Sequence, residues 1–282
     1  MAINSFLTGK RGVSLPFTDQ CPVIARDLGQ FNEIFKKVIR HGKKKGWRSI
    51  ELRAGDQYLP NAKPSDYFLT HDLNLVCAPE KIFAGFRSST KRNIRKAEKQ
   101  GVTVEIFNSM KSVNEFYRLN CLTRKEHGLP PQPYSFFEKV ARHVMATQKG
   151  VVALASHKHK IIAGAVYFYS GKEAIYKYGA SDKAFQNLRA NNLVMWKAIV
   201  WFIQKGMKNL NFGRTEPEHT GLNRFKAGWG TKQGTLNYYK YDLKKDAFKA
   251  DPPKIKTSYS VFHKMPLPLL KLAGRILYRH VG

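Results

Sequence analysis

The stretch from Tyr178 to Gly230 constrains this chain most: YGASDKAFQNLRANNLVMWKAIVWFIQKGMKNLNFGRTEPEHTGLNRFKAGWG. Tyr178-Gly179-Ala180-Ser181 ends a strand and opens a loop. Asn191 or Asn192 can cap a helix with its body from Leu193 to Lys205. Gly206 stands where a helix stop needs positive φ. Leu210 to Phe212 reads as a short strand, and Gly213-Arg214 leads into a polar loop. Gly221 to Gly230 holds a smaller helical pattern around Phe225-Lys226. Strand-loop-helix-strand-loop-helix is an α/β order, and its polar loops fall beside strand ends, where sites are usually built.

Upstream, the same alternation continues. Gly12 to Phe17 is a weak strand, and Leu28 to Lys45 carries apolar residues at helical spacing. Ser49 to Arg53 is a strand. Ser88, Ser89 or Thr90 can cap a helix bearing Lys91, Arg92, Arg95, Lys96 and Lys99. Spacings of four set these charges in two adjacent rows, which cost helix stability unless a polyanion or nearby acids answer them. Val102 to Phe107 alternates as a strand. Ser112 with Glu115 reads as a capping box for a helix through Glu126, and Tyr134 to Thr147 as another helix. Three strands follow, Val151–Ala155, Ile161–Tyr169 and Ala174–Tyr178, with Leu236 to Leu243 as a last one.

Charge narrows the partners. Lys and Arg number 49 against 20 Asp and Glu in 282 residues, a net +29. Such a surface attracts RNA, diphosphates or an anionic leaflet. Cys21, Cys77 and Cys121 are scattered and odd in number, which suits a reducing compartment. No signal-peptide core is evident, and the apolar run Leu193 to Ile203 is far shorter than the ~20 residues of a spanning helix. A cytoplasmic protein is expected, peripheral at the inner face of the membrane. His157 and His159 sit in a turn without a third ligand, so no metal is expected. Leu269, Leu270, Leu272, Ala273, Ile276 and Leu277 gather on one side of a tail helix, with Lys271, Arg275, Arg279 and His280 on or beside the other. That pattern fits an interfacial membrane helix or a helix docked on its own core.

Four pieces of the organising stretch, in order and at these spacings, resemble the C-terminal acyltransferase domain of FemAB-like proteins, a branch of the GNAT fold. They are YGAS at Tyr178–Ser181, the MWKAI helix, NFGR at Asn211–Arg214 and GLNRFKAGWG at Gly221–Gly230. FRSSTKRNIRKAEKQGVTVE at Phe86–Glu105 and FYRLNCLTRKEHGLPPQP at Phe116–Pro133 extend the likeness. The resemblance implies an α/β GNAT-like fold, a mixed central sheet flanked by helices. It divides the chain into a short, truncated N-terminal subdomain (1–85), a basic helix (86–101), the acyltransferase domain (102–250) and a basic amphipathic tail (251–282). It also implies transfer of an acyl or aminoacyl group to an amine of a cell-envelope substrate, such as a lipid-linked peptidoglycan precursor. The donor it implies is aminoacyl-tRNA. The chain lacks the Arg/Gln-x-x-Gly-x-Gly/Ala loop of CoA-dependent relatives, though acyl-CoA stays open as donor, as does a non-enzymatic RNA- or membrane-binding role.

Such transfer needs positioning and oxyanion stabilisation more than a conspicuous catalytic set. Lys226, in the position of the family's FK motif, is the candidate for the oxyanion or a donor phosphate. Arg214 is a phosphate or carboxylate clamp, its planar fork suiting both anions. Glu216, with Glu218 and His219 nearby, is the candidate proton acceptor. Phe225, Tyr178, Ser181 and Asn192 are expected at the substrate, and Arg92, Arg95 and Lys96 on an anionic partner. A surface lysine is the alternative reading of Lys226.

Overall fold

A computed structural model describes residues 1–6, 8–250 and 260–280. The Asp251-Pro252-Pro253 segment and the last two residues of the tail lie outside them. The chain runs β1 (Ala2–Ser5), β2 (Gly9–Val13), α1 (Leu28–Lys44), β3 (Ser49–Arg53), β4 (Asp66–Asn74), α2 (Pro79–Ala84), α3 (Ser88–Lys99) and β5 (Thr103–Phe107). It continues with α4 (Met110–Glu126), α5 (Tyr134–Val140), β6 (Gly150–His157), β7 (Lys160–Ser170), β8 (Glu173–Ser181), α6 (Ala190–Gln204) and β9 (Asn209–Asn211). Last come α7 (Thr220–Ala227), β10 (Lys232–Asp242), β11 (Ala247–Lys249), α8 (Ser260–Lys264) and α9 (Leu267–Leu277).

These strands form one mixed sheet in the order β1-β2-β3-β10-β4-β9-β8-β7-β6-β5, with β11 on β10. Strands β5 to β8 are an antiparallel meander. Strand β6 is buried along most of its length because helices cover both its faces. Val151, Ala153 and Ala155 pack with α6 residues Leu193, Ala198 and Phe202. Val152 and Leu154 pack with Phe116 and Phe137 of α4 and α5. Alternate side chains thus serve two cores, which is why β6 reads as a continuous apolar run. A third core, around Phe31, Ile50 and Tyr239, sits under α1.

Several local expectations shift by tertiary context. Helix α3 begins after Arg87, whose backbone N–H donates to the Gly228 carbonyl at 2.9 Å, so Ser88, Ser89 and Thr90 lie inside its first turn. Ser109, not Ser112, caps α4, accepting from the Ser112 N–H at 3.2 Å, while Glu115 pairs with Arg118 at 3.1 Å. Asn191 and Asn192 lie inside α6, which starts after Arg189 at φ 60. Strand β2 stops at Val13, and Ser14 still bonds β3, its N–H donating to the Glu51 carbonyl at 2.9 Å. Strand β4 had no counterpart in the sequence pattern. The last expected strand is β10, which lies between β3 and β4, and β11 pairs with β10.

The tail docks. Leu270 is fully buried, and a Cβ on Gly274 would stand 2.1 Å from the Pro131 carbonyl oxygen. Tyr278 stacks on Phe17 with ring centroids 5.4 Å apart. Among the described residues no helix is long and apolar enough to cross a membrane.

Candidate functional site

The site lies where two strands part. Strands β8 and β9 run parallel for three pairs, ending at Ile175 with Asn211. Beyond them β8 continues to Ser181, while the other strand turns away at Gly213, φ 70. Only glycine fits there. A Cβ would lie 2.9 Å from an Asp19 carboxylate oxygen and 3.2 Å from the Tyr176 carbonyl oxygen, in a conformation side chains disfavour. Parting parallel strands leave a cleft at their C-terminal ends, where α/β folds place ligands.

Helix α7 brings Lys226 into this cleft. The residue is 2% exposed, which excludes the surface-lysine reading. Its Nζ donates to the Gly213 carbonyl at 2.9 Å and the Arg214 carbonyl at 3.4 Å. An ammonium has three N–H groups, so a third can address a substrate oxygen. Burial lowers its pKa from 10.5 to about 8, opposed by the nearby Asp19 carboxylate, which favours the charge. Asp19 is held in turn by Lys177 of β8 at 2.8 Å, a pair largely shielded from water. Its backbone carbonyl accepts from the Tyr238 hydroxyl of β10. His71 of β4 is fully buried, and burial followed by the Lys226 charge lowers its pKa. It is therefore neutral beside Lys226 at pH 7.

Arg214 is half-buried. Its guanidinium lies 4.3 Å over the Phe68 ring and its Nη1 donates to the Tyr238 hydroxyl at 2.7 Å. Its backbone, through Lys226, is thus as much a part of the site as its side chain. Tyr178 packs edge-on to Phe137 at 5.6 Å, and burial pushes its hydroxyl pKa well up, so it stays a neutral donor. Beside it stands Arg124 of α4, its Nε donating to the Pro130 carbonyl at 3.2 Å. Burial disfavours the Arg124 charge, and the neighbouring Tyr278 and Tyr178 oppose that effect. Tyr278 also takes a side-chain hydrogen bond with Gln132. A half-buried cation beside two phenols is suited to an anionic ligand.

The other expected residues scatter. Phe225 packs on Trp229 at 5.9 Å, behind Lys226. Ser181 exchanges backbone bonds with the Thr123 hydroxyl, and its Oγ accepts from Asn191; Asn192 is buried in α6. The Glu216 carboxylate lies 3.2 Å from His219. Arg92, Arg95 and Lys96 are exposed on α3, with Arg95 5.7 Å from the Phe83 ring. The N-terminal end of α3 meets the end of α7 through the Arg87–Gly228 bond. Sequence reasoning missed Asp19, Lys177, Arg124, His71 and Tyr238. Asp19 carries one faint signal: it is the first acid in a chain of this charge.

Comparison with known proteins agrees with this fold. The acetyltransferase (GNAT) domain family matches residues 84–227, half of the chain. A lipid II:glycine glycyltransferase of Staphylococcus saprophyticus is 28% identical over 111 residues, covering 36% of this chain. The match spans 27% of that relative's length. The crystal structure of FemX superposes with a TM-score of 0.65 at 16% identity, over 78% of each chain. That of L-PGS from Bacillus licheniformis gives 0.52 at 14% identity, over 86% of this chain and 77% of the other. At such identities the structures speak for the fold. The chain belongs to the GNAT acetyltransferase-domain family.

Proposed function

We propose that the protein transfers an aminoacyl group from aminoacyl-tRNA to an amine of a lipid-linked peptidoglycan precursor, at the cytoplasmic face of the membrane. One observation carries the reading: a buried ammonium, Lys226, fixed by two backbone carbonyls at the cleft between β8 and β9. The acceptor amine attacks the ester carbonyl, and the carbonyl oxygen gains negative charge. The Lys226 ammonium answers that charge from a preorganised, water-poor position. As the tetrahedral intermediate collapses, the bond to the tRNA ribose oxygen breaks. The amine gives up a proton and the ribose hydroxyl takes one. Arg124, between Tyr178 and Tyr278, suits an acceptor phosphate. The name of the glycyltransferase relative supports the aminoacyl group and the lipid-linked acceptor. The family's acetyltransferase description favours a second donor, acyl-CoA.

The test offers the purified protein both donors with the lipid-linked acceptor. Turnover with aminoacyl-tRNA alone supports the proposal; turnover with acyl-CoA alone replaces it with the second reading. If tRNA is the donor, its binding weakens steeply with salt through counterion release. Replacing Arg92, Arg95 and Lys96 with Gln flattens that slope. An unchanged slope removes α3 from the tRNA surface.

The charge of Lys226 gives a pH prediction. It is an ammonium below about pH 8, so transfer declines as pH rises through that value. Asp19 raises the lysine's pKa, so Asp19→Asn moves the decline to lower pH. The measurement is kcat/KM against pH for both proteins. A limb that stays in place means Asp19 does not act through Lys226.

A further inference from the structure

Helix α9 docks by one side only. Leu270 and Gly274 face the protein, yet Leu269, Leu272 and Ile276 remain 54%, 51% and 49% exposed. At 100° per residue these three fall within an arc of about 60°, a continuous apolar stripe turned outward. Next to the stripe, Lys271 and Arg275 overhang an open groove of about 580 Å³ lined also by Tyr117, Tyr134 and Ser135. Lys271 reaches over the Tyr117 ring at 5.5 Å. Neither cation forms an ion pair among the described residues.

We propose that this outer side of α9 is an interfacial seat for an anionic phospholipid bilayer, with Leu269, Leu272 and Ile276 among the acyl chains and a lipid phosphate at Lys271 and Arg275. An apolar stripe beside basic groups and tyrosines is the chemistry of a helix lying in a headgroup layer. Charge decides among the occupants. A second copy would bring the same stripe with the same two cations, on a chain of net +29, and would be repelled. A nucleic acid answers the cations but gains nothing from three exposed aliphatic side chains. An anionic leaflet answers both. The inference rests on the surface alone and locates the proposed reaction. It is read without substrate, so its failure leaves the transferase reading standing.

The experiment is flotation of the full chain with phosphatidylcholine vesicles, with and without phosphatidylglycerol. It is run at low salt and at about 0.5 M salt, where exposed charge pairs are screened. The wild type is expected to float with anionic vesicles and to keep part of that binding in high salt. Leu269→Gln, Leu272→Gln and Ile276→Gln together remove the salt-resistant part, by tenfold or more, with an unchanged melting temperature. Lys271→Gln with Arg275→Gln reduces the preference for phosphatidylglycerol. Three results overturn the seat. The wild type fails to float, the triple variant floats like wild type at high salt, or the triple substitution instead abolishes a dimer seen by light scattering or weakens tRNA binding.

Discussion

Lys226→Met is expected to lower transfer by a factor of about 100–1,000, roughly 2.7–4 kcal/mol, the usual loss for one preorganised oxyanion donor. The same substitution is not expected to lower the melting temperature at pH 7. Methionine fills a similar volume, and the cost of burying an ammonium disappears. The sign follows from linkage. The folded pKa of about 8 lies below the ordinary 10.5, so the unfolded chain binds more protons between those values. The stability this lysine contributes is fully present above pH 10.5 and is lost as pH falls through about 8. Melting curves of the two proteins therefore differ most in the variant's favour near pH 7 and converge above pH 10.5. Against this stand the Gly213 and Arg214 carbonyls, which lose a donor in the variant. A collapse of melting temperature at every pH means those two bonds hold the turn together, and a structural role wins. Full activity in the variant removes Lys226 from the mechanism.

Gly274→Leu should release the tail and lower stability. Even the first side-chain carbon has no room, 2.1 Å from a backbone oxygen that cannot rotate away. Overpacking of this kind costs roughly 1–3 kcal/mol. In a chain of this size that is a fall of about 2–10 °C in melting temperature. Activity should fall as well. The Pro130-Pro131 segment that Gly274 touches accepts the Arg124 Nε, and Tyr278 follows directly on α9 beside the same guanidinium. Leu272→Ala, on the exposed side, is the control and should leave stability unchanged within about 0.5 kcal/mol. Equal melting temperatures for the two variants would mean that α9 is not held at Gly274.

What was legible in the sequence was what depends on local pattern. Helix α1, strand β3 and the β6-β7-β8 meander follow from apolar spacing, and Gly206 sits at the stop of α6 with φ 68 as expected. Strand β4 was illegible because each of its sides buries a polar residue, Thr70 on one and His71 on the other. In DYFLTHDLN, Phe68, Thr70, His71 and Leu73 are all buried, so burial does not follow an apolar/polar alternation along the strand. The caps of α3 and α4 were misplaced for a related reason. Runs of Ser and Thr offer several equivalent caps, and at α3 the Gly228 carbonyl, far along the chain, decides. Lys226 was visible by its motif, but its burial was not, since Asn223 and Arg224 precede it. Asp19 and Lys177 are individually ordinary residues 158 positions apart, and only the closed sheet makes them a pair.

The place of β10 in the sheet has a consequence for how the protein is made. Strands β3 and β4 are close in sequence, yet β10 lies between them. Tyr238 and Asp19, whose bond helps to fix the acid beside Lys226, are 219 positions apart. During synthesis the first half of the sheet therefore waits with two unpaired edges until residues 232–242 leave the ribosome. The meander β5 to β8 has no such dependence and can form earlier, from near neighbours. Pairings of such long range are slow to close, and waiting edges invite wrong partners. The order of events is then meander first and the β3-β10-β4 pairing last, so a chain stopped short of β10 has much of its core but lacks Tyr238, the partner that holds the Asp19 backbone.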